Sequence, residues 1–212
     1  MLQDTGERII PDEMKPNNLL LLEHLARYSF ALPYVKGRVL DIACGSGYGA
    51  HMLAKLRKRS IQELVAVDIH QDALDYARKR YYHPLITYQK ADVLDPLLSE
   101  RLGTFDVIIS FETIEHVEND RLFKQMKSLL RRGGKLILST PFGRGRGIPS
   151  GEPFHFHQLN REEFQSSFGS FRKVDFYYQN GVAIEKGIIL NESIQPPRQE
   201  AKYALGIAVA SN

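Results

Sequence analysis

The sequence predicts a doubly wound α/β fold, a mostly parallel sheet with helices on both faces, and three observations carry the prediction. From residue 38 to residue 140, short continuous β-branched runs alternate with amphipathic segments of helical length. Runs without polar alternation are strands buried on both faces, and helical crossovers between them make the sheet parallel. The runs lead into acids: Asp41 and Asp68 in the first two, Asp92 just beyond the third. The first run opens into Cys44-Gly45-Ser46-Gly47-Tyr48-Gly49, a turn in which bare backbone and the positive end of a helix can face a ligand.

Taken in order, residues 1–16 are polar, carry Pro11 and Pro16, and read as an arm rather than a packed element. Residues 17–31 form a helix capped by Asn17 or Asn18, with a stripe of Leu19, Leu22, Leu25 and Ala26 and a Glu23–Arg27 pair. Strands are expected at 38–42, 63–68, 85–89, 105–110 and 135–140. Helices are expected at 48–59, with Met52, Leu53 and Leu56 inward, at 71–82, with Asp75 paired to Lys79, and at 119–131, ended by Gly133-Gly134. Residues 141–158 hold glycines, prolines, Arg144, Arg146, His155 and His157 without periodicity, the pattern of a lid or substrate loop. Asn160 to Glu163 is a capping-box pattern that starts a short helix. Strands at 171–178 and 203–210, with a loop over 191–202, can pair antiparallel because no long helix separates them. The whole reads as one domain over 1–212: arm and first helix to 36, ligand-binding core over 37–140, lid and late strands over 141–212.

Composition narrows the classes. The net charge is +3 and the pI near 8.9, too mild to require a nucleic-acid or membrane partner. One cysteine, Cys44, excludes an internal disulfide and a cysteine zinc cluster, and reads as a small buried residue of the turn. Charged residues throughout the first twenty leave no signal-peptide core, and no apolar run nears the ~18 residues of a membrane span. The expected location is cytoplasmic.

The acids choose among ligands. Ligands of doubly wound sheets bind beyond the carboxyl ends of the strands. A dinucleotide is the first rival, since Gly45-x-Gly47-x-x-Ala50 fits its fingerprint and Asp68 follows at the interval of a ribose acid. Asp41, immediately before the turn, disfavours a pyrophosphate and suits an ammonium or sulfonium.

On these segments (39–50, Val65-Ala66-Val67-Asp68, Ala91-Asp92-Val93, 105–117 and 129–140, in order along the chain) the sequence resembles the class I S-adenosylmethionine-dependent methyltransferases. The resemblance implies a Rossmann-like sheet of seven strands, the last antiparallel, and S-adenosylmethionine as cofactor. It implies that Asp41 anchors the methionine end, that Ala43, Gly45 and Gly47 let backbone approach the cofactor, and that Asp68 binds the ribose with Ile69 against adenine. Asp92 and Val93 would take the adenine amine, Phe111 would touch the methionine part, and Tyr28 on the first helix would cover the sulfonium or else simply pack.

The acceptor is less legible, because an activated methyl needs alignment and a dry site more than a specific side chain. Glu112-Thr113-Ile114-Glu115-His116 resembles a segment of ubiquinone-type O-methyltransferases, which implies a small-molecule acceptor methylated at oxygen, His116 and Glu115 as catalytic candidates, and no metal. Arg144, His155 and His157 are the substrate-side candidates. The same segment resembles small-RNA 2′-O-methyltransferases, in which the matching glutamates and histidine, with a later histidine such as His155 or His157, hold a divalent metal. The mild charge and the lack of an added RNA-binding domain count against that alternative. A non-catalytic S-adenosylmethionine-binding protein is the third reading. Homodimerisation is left open.

Overall fold

The computed structural model describes residues 2, 8–117, 119–149, 151, 155, 158–190, 193–197 and 204–212. Ten strands run Gly37–Ile42 (β1), Ile61–Asp68 (β2), Ile86–Lys90 (β3), Phe105–Phe111 (β4), Leu130–Pro141 (β5), Lys173–Asn180 (β6), Ala183–Lys186 (β7), Ile188–Leu190 (β8), Ser193–Gln195 (β9) and Leu205–Ser211 (β10). Six α-helices interleave them: Leu19–Ala31 (α1), Tyr48–Leu56 (α2), Gln71–Arg80 (α3), Leu98–Leu102 (α4), Asn119–Leu129 (α5) and Arg161–Ser166 (α6). The main sheet has the order β3-β2-β1-β4-β5-β10-β6-β7, with the first five strands parallel and β10 antiparallel to both its neighbours. The chain winds outward from β1 in both directions, so the crevice lies beyond the carboxyl ends of β1 and β4.

Burial on both faces follows from the pleat. Val39, Leu64, Ile109, Ile137 and Ile207 pack with α1, α2 and α3. Their strand neighbours Leu40, Val65, Ile108, Leu138 and Ala208 pack with α4, α5 and α6 on the other side. Leu122, Met126, Leu129 and Leu130 are all buried, as their spacing predicts.

Several expectations are corrected. The main sheet has eight strands, not seven, because Gly181 at φ +57° turns the chain so that β7 folds back on β6. Residues 193–195, read as loop, form β9, paired with β8. Gly133-Gly134 do not separate a helix from a strand: β5 starts at Leu130, and the glycines form an irregularity where Phe105 pairs with Leu130 and Val107 with Lys135. Helix α1 is capped by Asn18 as expected, its side chain accepting from the Leu21 N–H at 3.1 Å. Its buried face, however, is Leu21, Arg27, Tyr28 and Ala31, while Leu19 is 60% exposed. Arg27 bonds Gln179 rather than Glu23, and Asp75 pairs with Arg78 rather than Lys79. Helix α2 ends at Leu56, which is 56% exposed at the last turn instead of inward. Helix α4 was not expected, being a single short turn. The arm is packed: Ile9 and Ile10 are buried, and the Ile9 carbonyl accepts from Ser46 Oγ at 2.7 Å.

Candidate active site

The glycine turn supplies the floor. Ala43, Gly45 and Gly47 have φ of +55°, +54° and +84°, which curls the backbone between β1 and α2. A left-handed alanine is a strained conformation, and a second non-glycine one, Glu112 at φ +49°, caps β4 beside it. Gly49 has another purpose: a Cβ there would lie 1.9 Å from the Tyr28 ring. Its absence lets α1 press Tyr28 against α2. Tyr28 also stands edge-on to Phe111, ring centroids 5.1 Å apart, and its Oη lies 3.3 Å from both carboxylate oxygens of Asp41.

Asp41 is wholly buried and has no cationic partner among the described residues. Burial is the main cause that pushes its carboxyl up to about 8; the Tyr28 hydrogen bond opposes this and the charge of Asp68 adds to it. Asp68 is also buried, but its oxygens accept from the Gly45 N–H and His70 N–H, both at 2.9 Å. Asp92 is exposed and accepts from the Leu94 N–H at 2.8 Å.

Two adjoining cavities share Arg8, Ala43, Gly45, Glu112 and His116 in their walls. One, about 480 Å³, is lined by Asp68, Ile69, Ala91, Asp92 and Val93. The other, about 290 Å³, is lined by His24, Tyr28, Tyr48, Phe111, Glu115, His116, Pro141 and His155. In the second, Glu115 is buried and accepts from Thr140 Oγ1 at 3.0 Å, while Ser139 Oγ donates to Glu112 Oε1 at 2.7 Å. Burial first, then the charge of Glu112, holds the Glu115 carboxyl well above its ordinary range. The rings of His116 and His155 are 5.0 Å apart, and Glu115, His116 and His155 each offer one ligand atom within 4.8 Å of the others. Burial and the nearby Arg27 hold His24 well below its ordinary value, so the ring is neutral at pH 7.

The methyltransferase-domain family model matches residues 39–134. A probable S-adenosylmethionine-dependent methyltransferase of Mycobacterium tuberculosis is 33% identical over 168 residues, which cover 76% of this chain and 58% of that protein. Among solved structures, an S-adenosylmethionine-dependent methyltransferase from Archaeoglobus fulgidus superposes with a TM-score of 0.64 at 16% identity, covering 92% of this chain and 95% of that one. These matches support reading the chain as a class I S-adenosylmethionine-dependent methyltransferase. A ubiquinone biosynthesis O-methyltransferase of Xanthomonas euvesicatoria is 33% identical over 132 residues, 59% of this chain and 52% of that one. The methyltransferase domain of bacterial CtHen1-C gives a TM-score of 0.62 at 20% identity, covering 92% of this chain and 98% of that one. The chain spans a little over half the length of the curated relatives it matches.

The matched domain and its relatives make S-adenosylmethionine the cofactor, and the cleft fits it. A buried carboxylate with no protein cation beside it matches a ligand carrying an ammonium and a sulfonium. Of the residues singled out in the sequence, Asp68, Ile69, Asp92 and Val93 come together in the larger cavity, and Tyr28, Phe111, Glu115, His116 and His155 in the smaller. Ala43 and Gly45 border both. Arg144 is not brought to either cavity: it is exposed, and its Nη2 donates to the Pro149 carbonyl at 2.8 Å. His157 lies outside the described residues. Sequence reasoning missed Arg8, His24 and Tyr48 as wall residues. The apolar pair Ile9-Ile10 inside a polar arm was the available sign that Arg8 is held against the body.

Proposed function

We propose that this protein methylates a small-molecule acceptor at oxygen, with the acceptor in the smaller cavity and the donor spanning the larger one. When bound, S-adenosylmethionine supplies a methyl group already activated on a sulfonium. The chain's residues then have to hold, align and keep water out. Asp41 would face the positively charged methionine end, Asp68 and Asp92 the ribose and adenine, and the Tyr28–Phe111 pair the sulfonium. His116, on the wall shared by both cavities, would take the hydroxyl proton from the acceptor, with the buried Glu115 beside it at 3.9 Å. The observation that supports this reading is the convergence of Glu115, His116 and His155 at the Tyr28–Phe111 end of the cleft. The name of the Xanthomonas relative agrees with methylation at oxygen.

A second reading is supported by the same cluster: Glu115, His116 and His155 can supply a carboxylate and two imidazoles to a divalent ion. One experiment separates the two. Methyl transfer to a panel of phenolic acceptors is followed with and without chelator, in the natural protein and in His116→Gln. General-base chemistry predicts indifference to chelator and a loss of at least ~100-fold in kcat for the variant. Abolition by chelator, with recovery on adding Mg²⁺ or Mn²⁺, replaces it with the metal reading. No turnover of any acceptor despite tight binding of S-adenosylhomocysteine sinks both.

A further inference from the structure

Arg27 is 2% exposed and lies on α1 one turn from His24 and next to Tyr28, both of which line the smaller cavity. Its Nη1 donates to Gln179 Oε1 at 3.0 Å. Gln179 is itself 2% exposed, and its amide nitrogen donates to the carbonyls of Glu23 at 3.1 Å and Gly181 at 2.7 Å. That fixes which way the amide faces and commits only one nitrogen of the guanidinium. Nε and Nη2 are buried and have no hydrogen-bond partner. These two N–H groups form the side-on edge of the fork, the edge that matches the two oxygens of a carboxylate. No carboxylate among the described residues stands within ion-pair distance of Arg27. A guanidinium cannot shed its charge, so a buried one with an empty fork is costly unless something fills it.

Neither Arg27 nor Gln179 lines either cavity itself, and their position places the fork directly behind the wall of the smaller one. Leu205 on β10 pairs with Pro141 on one side and Gln179 on the other, so Gln179 is level with Pro141, a wall residue of the smaller cavity. The influence of the Arg27 charge on His24, Tyr48 and Glu115, three more wall residues, agrees. Asp68 and Asp92 lie with β2 and β3, in the opposite half of the sheet.

We propose that the free edge of Arg27 is a carboxylate subsite of the acceptor cavity, so that the acceptor class is an acid bearing the hydroxyl to be methylated. This rests on the methyl-transfer reading above. The one other carboxylate available to the cleft is that of the donor's amino-acid end, and the test separates the two sources.

Binding is measured by calorimetry in the natural protein, Arg27→Met and Arg27→Lys, with thermal melts to show that each is folded. The acceptor arm compares 3,4-dihydroxybenzoate with catechol in the presence of S-adenosylhomocysteine. The donor arm compares S-adenosylhomocysteine with S-adenosyl-3-thiopropylamine, the same molecule without its carboxylate. The natural protein is expected to prefer the benzoate by ~10-fold or more, Arg27→Met to lose that preference, and Arg27→Lys, which keeps the charge without the fork, to retain part of it. If the preference that Arg27→Met abolishes is the donor's, the acceptor subsite is overturned and the free edge of Arg27 serves the donor's carboxylate instead. If neither ratio changes in a folded variant, the proposal is overturned, and Arg27 only braces α1 against β6 through Gln179. If Arg27→Met does not fold, Arg27→Lys decides by the same ratios. Failure of S-adenosylhomocysteine to bind the natural protein would instead remove the methyl-transfer reading itself.

Discussion

Asp41 sets how the site responds to pH. In the ligand-free chain its carboxyl is pushed up to about 8, so the buried group is mostly protonated at pH 7 and Tyr28 faces a neutral acid. A sulfonium and an ammonium brought alongside favour the carboxylate, because opposite charge in a buried site stabilises the ionised form. Binding of S-adenosylmethionine is therefore expected to expel the proton. The sign follows: a ligand that binds the deprotonated form gains affinity as pH rises toward the free-state value and levels off above it. The expected result is affinity rising by up to ~10-fold per pH unit between pH 6 and 8, and about one proton released at pH 7. Calorimetry in two buffers of different ionisation heat reads that proton directly. Asp41→Asn should bind more weakly with a flat pH profile; a flat profile in the natural protein would mean that Asp41 does not meet the positive end of the ligand.

At the scale of elements, the contact between α1 and α2 depends on a missing methyl. A Cβ at Gly49 would fall 1.9–2.4 Å from three atoms of the Tyr28 ring, and that ring is held between Tyr48 and Phe111 at centroid distances of 5.5 and 5.1 Å. The ring has no free direction to move, so α1 itself must shift. Gly49→Ala is expected to destabilise by about 2 kcal/mol, an overpacking effect, and to lower the thermal midpoint by roughly 4–8 °C. Adding Tyr28→Ala should restore the midpoint in part; simple additivity of the two losses would place the strain elsewhere. Helix α1 also marks the limit of pattern reading. Asn18 announced where it begins, because a cap is a local hydrogen bond. The leucine stripe misassigned its buried face, because the helix turns Arg27 and Tyr28 inward toward Gln179 and Asp41, partners 152 and 13 residues away. Nothing in the spacing of α1 encodes those contacts. The hairpin joining β6 to β7 turns through the two-residue loop Gly181-Val182, and its glycine at the first loop position is the local sign of it.

For the molecule as a whole, the parallel half of the sheet was readable, since continuous buried runs joined by helices admit few topologies. The candidate cofactor residues were legible as a neighbourhood, because β1 carries Asp41 and the glycine turn together. The smaller cavity was not: its walls come from the arm, α1, the ends of β4 and β5, and His155, segments far apart in sequence. The arm ties this assembly to the helices. Ser46 Oγ bonds the Ile9 carbonyl, Asp12 accepts from Tyr76 Oη at 3.0 Å and from the Arg80 guanidinium, and Arg8 borders both cavities while its Nη1 donates to Asp72 at 3.2 Å. Arm and glycine turn should therefore respond to the donor together. S-adenosylhomocysteine at 100 times its Kd is expected to add about 2.7 kcal/mol of stability, a rise of roughly 5–10 °C in the thermal midpoint. Amide exchange should slow at residues 8–14 as well as at 43–49, and Asp12→Ala should weaken the protection of the arm while sparing that of the turn. Exchange at residues 8–14 that ignores the ligand would show the arm to be a fixed part of the body, packed there whether or not the donor is bound.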